Sequence, residues 1–450
     1  MGWRARKHGT GNAMYRNKIA IVGAGFAGLG IAAALRRHGV AYDQFDGNDR
    51  VGGLWHRGIY EGVHTITSKG RTRFADFPMP AHYPDFPSRE QVAAYLQSFA
   101  EHHRLAENLF LNTRVRWVAP AEESRWRITL ESGEERVYRG VVIASGQQWE
   151  CRYPEHRGTF AGEVLHSGQY RGAEVLRGKR VLVVGGGNSA ADIAVDAARH
   201  AAAAHISMRR GRWYIPKTLQ GVPSTELLKD WLPLPVQRLL IRLLVRISLG
   251  SYESYGLQRP REKLFDSDPT INDQLLYWIR HGRITPQKGI AKIEGKEVEF
   301  VDGRKEEFDL ICYATGFHAT IPFLQPGVVR FADGVPDLVA GLFAANHRNL
   351  YVFGIGKLLP VPRYGVGPPI TFGANLLALC IREQEKLQHS LAEILVRLGG
   401  RPHTARRMDP RYALWLVRAA CRIVPRLHRV ESWLFPAAPR RLSFMERKIL

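Results

Sequence analysis

A chain of 450 residues, 45% hydrophobic and 24% charged, is long enough for two domains and has the composition of a globular protein. Its four cysteines, Cys151, Cys312, Cys380 and Cys421, form no C-x-x-C pair, which excludes a disulfide scaffold and a cysteine-based metal site and fits a reducing, cytoplasmic setting. The net charge of +22 invites a nucleic-acid reading, yet no nucleic-acid module accompanies it, so nucleic acid is not an expected partner. Residues 401–450 carry twelve basic against three acidic residues, which leaves a solvated tail and contact with an anionic membrane both open. No uncharged apolar run reaches transmembrane length, and neither a signal peptide nor a myristoylation motif is expected at the basic start.

In chain order, residues 1–14 read as a flexible extension. Ile19 to Val22 then read as a buried strand, and Gly23, Gly25 and Gly28 make a G-x-G-x-x-G where the periodicity changes from strand to helix. Gly23 allows the tight turn, Gly25, with Phe26 and Ala27 after it, lets backbone approach a pyrophosphate, and Gly28 lets the helix lie close to the sheet. The helix N-terminus offers free N–H groups and partial positive charge to phosphate. Ala32 to Leu35 continue the helix, Gly39 ends it, and Val40 to Phe45 form a second strand leading to Asp46, placed to accept hydrogen bonds from a ribose diol.

Next come Gly52-Gly53-Leu54-Trp55, where two glycines let backbone approach a flat ring, although a plain turn with a core tryptophan also fits. Ser88 is read as an N-cap with Gln91 in the capping-box position, and short strands are expected near Arg114–Val118 and Arg125–Glu131. A second dinucleotide signature begins at Lys179: strand Arg180 to Val184, turn Gly185-Gly186-Gly187-Asn188-Ser189-Ala190, an alanine-rich helix from Asp192 to Arg199, and strand His205 to Met208. The spacing from Gly23 to Asp46, laid from Gly185, reaches Met208, followed by Arg209 and Arg210. A carboxylate suits a free ribose diol, whereas guanidinium pairs with a 2′-phosphate. The first unit therefore reads as an FAD site and the second as an NADPH site.

Tyr138 to Gly146 and Phe308 to Gly316 echo one another, each a buried strand ending in a small-hydroxyl-glycine turn, Ala144-Ser145-Gly146 and Ala314-Thr315-Gly316. They mark where the chain leaves the first domain and where it returns. The expected class is α/β with two Rossmann-like dinucleotide-binding domains, the NADPH domain inserted into the FAD domain. The boundaries are 15–150 and 316–395 for the FAD domain, 151–315 for the insertion and 396–450 for a basic tail.

Between the repeats lies Phe160 to Tyr170, an F-x-G-x-x-x-H-x-x-x-Y with His166 at its centre. Taken with both glycine motifs, Gly52-Gly53-Leu54-Trp55 and Ala314-Thr315-Gly316, it puts five motifs in the order seen in flavin-containing monooxygenases, a family that residues 17–375 resemble. The resemblance implies FAD and NADPH as cofactors, O2 and a small molecule as substrates, and oxygen insertion through a flavin C4a-hydroperoxide at a soft nitrogen or sulfur centre. It adds Gly53, Leu54, Trp55, Thr67, Val115, Ser145, Gly146, Tyr170, Gly185, Gly187, Asn188, Ser189, Ala190, Ala314, Thr315 and Gly316 to the cofactor contacts. His166 would position NADP rather than shuttle protons, and Tyr170, where Baeyer–Villiger enzymes of this kind carry tryptophan, leans toward heteroatom oxygenation.

Thr65-Ile66-Thr67-Ser68-Lys69 resembles the family's T-N-T-S-K, but Ile66 replaces the asparagine that helps hold the peroxide and cannot donate a hydrogen bond. Either Thr67 or Ser68 takes over, or peroxide leaks. Baeyer–Villiger oxygenation, an NADPH oxidase-like activity and a non-catalytic flavin-binding protein are the alternatives. Residues 234–249 read as a basic amphipathic helix, with Arg238, Arg242 and Arg246 four apart; it suits either a lid or peripheral contact with an anionic membrane. A strand and glycine turn at Asn349 to Gly356, a loop from Pro360 to Pro369 and a helix from Thr371 to Gln388 over the flavin ring complete the reading, with a homodimer left open.

Overall fold

The computed structural model describes residues 14–229, 231–332, 334–355, 365, 367–400 and 410–435. All of the N-terminal extension but Met14, and most of the loop expected at 360–369, lie outside the described residues. The elements that position the site are β1 (Ile19–Val22), α1 (Phe26–Arg37), β2 (Tyr42–Phe45), α2 (Arg89–His102), β3 (Leu109–Phe110) and β4 (Gly140–Ile143). After them come β5 (Glu163–His166), β6 (Arg180–Val184), α3 (Asn188–His200), β7 (Ala203–Ser207), α4 (Leu234–Leu249), β8 (Thr285–Gln287) and β9 (Leu310–Tyr313). The chain ends with β10 (Leu338–Val339), β11 (Phe343–Ala344), β12 (Leu350–Val352), α5 (Gly367–Gln384), α6 (Leu391–Arg397), α7 (Pro410–Ile423) and α8 (Leu427–Leu434).

Two sheets result, each belonging to a Rossmann-like domain. A seven-stranded sheet has the order β10-β11-β12-β4-β1-β2-β3, and a five-stranded parallel sheet the order β5-β9-β6-β7-β8. The first takes strands from both sides of the second in sequence. At the crossing, Cys151 pairs antiparallel with Phe317 and Glu150 with His318, so outgoing and returning segments are bonded to each other.

The strands β1 and β4 are buried along their whole length, as parallel strands covered on both faces should be. The equally buried β2 carries two polar residues: Asp43 accepts from Lys18 and Tyr138, both at 2.8 Å, and Gln44 donates to the Gly23 carbonyl at 2.8 Å while its Oε1 is buried without a partner among the described residues. It begins at Tyr42 rather than Val40 because the Val40 N–H is still bonded to Leu35 across the left-handed Gly39 that closes α1. The helix α2 opens with the capping box expected at Ser88 and Gln91.

The helix α5 starts at Gly367 and stops at Gln384, earlier at both ends than expected. Pro368 and Pro369 fit its first turn, where backbone N–H groups have no intrahelical partner. Beyond its end, Arg348 donates to the carbonyls of Gln384, Leu387 and Gln388. This helix packs on α1, so closely at Gly30 that a Cβ there would lie 2.6 Å from Ile370. The stretch read as a basic tail holds α7 and α8, and Val424 and Leu427 from it are buried in the same core as α1 and α5. Among the described residues no helix is long and apolar enough to cross a membrane.

Candidate functional site

Each glycine turn is closed at its back and open at its front. Gly23 has φ +112° and Gly185 φ +143°, and a Cβ on either would run into a carbonyl, Ala144 O at 2.5 Å or Ala314 O at 2.3 Å. The echo strands thus abut corresponding points of the two turns. In front, a Cβ on Gly187 would meet nothing within 4 Å, and one on Gly25 only the Gly53 Cα at 3.7 Å. These are the open backbone faces that a pyrophosphate requires, each at the start of a helix, α1 or α3.

In the first cradle the Asp46 carboxylate accepts the Ala24 N–H at 2.6 Å and the Asn48 N–H at 2.8 Å, which aims it at the turn. Gly52 donates to the Ala24 carbonyl at 2.9 Å and brings the Gly53-Leu54-Trp55 turn against Gly25, with Gly52 and Gly53 both at positive φ. Trp55 packs against the cores of both domains. Phe26 is buried against Phe74, and Ala27 lies beneath Gly354, where the returning strand β12 ends. Val115 is buried, and Thr113, two residues before it, donates to the Asp46 carbonyl at 2.8 Å. Ser145 Oγ is buried without a partner beside Gly146, an unsatisfied hydroxyl at the cradle's back.

The second cradle is braced by the segment after it. Thr270 donates to the Gly186 carbonyl at 2.6 Å, and Asn188 Oδ1 accepts the Ile271 N–H at 2.8 Å, so the Asn188 side chain is committed to structure. Ser189 is half-buried and Ala190 fully buried. Arg209 and Arg210 follow β7 on the surface, where neither bonds a described residue, while Arg212 crosses the turn at Gly186. Thr315 bonds Arg152, and the Gly316 carbonyl accepts the Arg152 N–H at 3.0 Å, which fixes the crossing between the domains.

His166 ends β5 with no exposed surface. Its Nδ1 accepts the Gly168 N–H at 3.0 Å, so the ring proton sits on Nε2, which is buried and without a partner. Burial lowers its pKa, with the Gly316 backbone opposing, so the imidazole is neutral at physiological pH. Phe317 and Tyr153 hold it edge-on, at 5.0 and 5.3 Å. Tyr170 does not reach an open surface: it is fully buried, and its hydroxyl donates to Asp196 of α3 at 2.8 Å. Its role in the geometry is to pin α3.

Ile66 and Thr67 line a cavity of about 90 Å³ with Ile215, Leu228, Ile241 and Phe265 of the inserted domain. The two hydroxyls that follow Ile66 are engaged, Thr67 with Thr72 at 2.8 Å and buried Ser68 with Glu226, whereas Thr65 Oγ1 before it is buried without a partner among the described residues. The same seam carries Tyr60, whose hydroxyl donates to Asp192 of α3 at 2.8 Å. Burial raises the Asp192 pKa, and Asn272 donates to its other oxygen at 2.8 Å. Gln44, Tyr60, Asp192, Arg212 and Glu226 were not legible from the sequence, because each acts on a residue distant in the chain or beyond the motif spacing.

All four cysteines are free, and burial pushes the Cys312 and Cys380 thiols up to about 12, which gives no support to a dithiol redox site.

A model of the flavin-binding monooxygenase-like family matches residues 16–360. Dimethylaniline monooxygenase 2 (N-oxide-forming) of Oryctolagus cuniculus is 30% identical over 377 residues, 76% of this chain and 70% of its own length. An indole-3-pyruvate monooxygenase of Oryza sativa subsp. indica is 31% identical over 322 residues, 67% of this chain and 76% of its own. Among solved structures, cyclohexanone monooxygenase in its open form matches with a TM-score of 0.69 at 16% identity, covering 92% of this chain and 99% of that one. At that identity the likeness is one of fold.

Proposed function

The chain belongs to the flavin-binding monooxygenase-like family and is an NADPH-dependent flavin monooxygenase, and from that premise we propose that its flavin is FAD and that it transfers one oxygen atom of O2 to a soft nitrogen or sulfur centre. The observation that carries this reading is the pair of cradles, one fronted by Asp46 and the other by arginines. Bound FAD would accept hydride from NADPH and activate oxygen. The chain's own work is placement and dryness. Asp46 accepts the ribose hydroxyls of FAD, while Gly25 and Gly187 admit the two pyrophosphates. Oxygen transfer would take place beside the cavity at Ile66, where Ile215, Ile241 and Phe265 supply apolar walls and Ser224, Thr225 and Asp268 the polar ones. Neutral His166, sealed from solvent, would position the nicotinamide nucleotide indirectly, its Nδ1 fixing the Gly168 turn, and move no proton.

Ile66 favours a second reading, an NADPH oxidase that releases peroxide, since Thr67 and Ser68 are already bonded elsewhere. Turnover under ¹⁸O2 with a small thioether separates the two. Monooxygenation predicts a sulfoxide two mass units heavier and little free peroxide; stoichiometric peroxide with unlabelled thioether supports the oxidase and sinks the oxygen-transfer proposal. Ile66→Asn, which restores a donor, should lower peroxide released per NADPH by about fivefold, on the order of 1 kcal/mol for one hydrogen bond.

Peripheral contact with an anionic membrane is part of the same proposal. The supporting surface is α4, where Leu239, Leu243 and Ile247 are 66%, 54% and 69% exposed beside exposed Arg242 and Arg246.

A further inference from the structure

We propose that Tyr60 and Asp192 are positioning residues for flavin reduction: their hydrogen bond across the seam sets where the nicotinamide cradle stands relative to the flavin cradle. The inference rests on the NADPH reading above and concerns the coupling of the two sites, not the affinity of either. Each end of the bond is tied to one cradle. The stretch that ends in Tyr60 begins at Gly53, where a Cβ would come 3.1 Å from the Gly25 Cα of the first turn, and Gly52 before it donates to the Ala24 carbonyl at 2.9 Å. Asp192 stands on α3, one turn from Asn188, with which that helix begins at the second cradle. A short loop on one side and a single helical turn on the other therefore join the two.

The bond is part of a built clasp. The helix α3 presents two carboxylates one turn apart, and each accepts a tyrosine hydroxyl at 2.8 Å, Asp192 from Tyr60 and Asp196 from Tyr170. The two rings lean on each other with centroids 5.6 Å apart, and both are buried. Burial raises the Tyr60 pKa, so its hydroxyl keeps the proton that it donates. The other Asp192 oxygen accepts Asn272 Nδ2 at 2.8 Å, and Asn272 Oδ1 in turn accepts the Gln274 and Leu275 N–H groups. The carboxylate is thus fixed at both oxygens. Of the four clasp residues Tyr60 alone comes from the flavin domain, yet its ring is buried in the core of the inserted one. Reduction moves one hydride from NADPH to FAD and leaves NADP+ and FADH−. Such a step falls steeply when the reacting rings are displaced, whereas each nucleotide is held by its own turn.

The test is anaerobic stopped-flow reduction of the FAD-loaded full chain over a range of NADPH concentrations, which separates the limiting rate from the Kd for NADPH. Tyr60→Phe should slow the limiting rate by about tenfold or more and leave the Kd and the flavin content within about threefold. The long-wavelength absorbance of nicotinamide stacked on flavin should weaken with the rate. Asp192→Ala should do the same, while Asp192→Asn, which keeps a hydrogen-bond partner for Tyr60, should recover to within about threefold of the unaltered rate. Independently of turnover, amide hydrogen exchange of the nucleotide-free chain should quicken in Tyr60→Phe at 53–60 and 188–196 together, by about fivefold for one lost hydrogen bond. Should Asp192→Ala fold poorly, Tyr60→Phe, which removes one oxygen, carries the test. An unchanged limiting rate in Tyr60→Phe, a Kd that rises as much as the rate falls, or quickened exchange confined to 53–60 overturns the inference. If NADPH leaves the flavin of the unaltered chain oxidised, the NADPH reading falls and this inference with it.

Discussion

In the first cradle a buried glutamine, Gln44, holds the Gly23 carbonyl, and Asp46 closes over Ala24; in the second, Ile206 and Met208 stand at those places and Arg212 comes from four residues further on. The backs of the turns are nearly interchangeable. Each first glycine faces the carbonyl of an alanine that ends a neighbouring strand, Ala144 or Ala314, and each second glycine is open in front. Backbone sterics dictate that much, and any side chain there would be excluded. The mouths differ because the residues after the second strand lie outside the hydrogen-bonded frame. There a substitution changes which nucleotide is read without disturbing the turn.

The third motif position breaks the comparison most sharply. A Cβ on Gly28 would lie 1.9 Å from the Gly23 carbonyl and 3.1 Å from Gln44 Nε2, whereas the second cradle accommodates Ala190. Gly28→Ala should cut flavin retained per chain by about tenfold or more, since relief demands backbone movement in a packed turn costing about 1–3 kcal/mol. Ala190→Gly should change nicotinamide affinity by about threefold at most, near the roughly 1 kcal/mol helix cost of glycine. Flavin absorbance per chain, nucleotide titration and circular dichroism check both. Full flavin content in folded Gly28→Ala would mean that the two turns are not the cradles they resemble.

The motifs themselves were legible because their chemistry is local: turn glycines, strand-to-helix changes of period and the capping box at Ser88 all depend on neighbours in sequence. The family resemblance followed from their order. What stayed hidden is long-range. Tyr60 meets Asp192 and Ser68 meets Glu226 across the seam between domains, and nothing in the spacing of either segment announces the other. The motif predicts a cofactor contact for Tyr170, yet its hydroxyl is bonded to Asp196 inside the core. The helices α7 and α8 lay beneath a charge excess that obscured their apolar faces.

A smaller effect, a dependence on pH, is common to both domains. The second sheet contains His166 on β5 and His205 on β7, and burial lowers both pKa values from 6.5. A histidine held neutral in the fold is protonated first in the unfolded chain. Its contribution to stability is therefore full above about pH 6.5 and is lost as pH falls below it. Lowering pH from 7.5 to 5.5 should reduce the Tm by a few degrees, about 2–4 °C for each kcal/mol. Burial lowers the pKa of His38, His103 and His347 of the flavin domain as well, so flavin fluorescence and nucleotide titration should show both sites weakening over the same pH range. A Tm unchanged between pH 7.5 and 5.5 would contradict it.

Opposite charge preference in two otherwise matched turns is tested most directly by anaerobic reduction of the purified protein. The chain should carry one FAD, and NADPH should bleach it at least about tenfold more efficiently than NADH, the factor for one charge-assisted phosphate contact. A colourless protein that refuses added FAD, or equal bleaching by the two nucleotides, would contradict it.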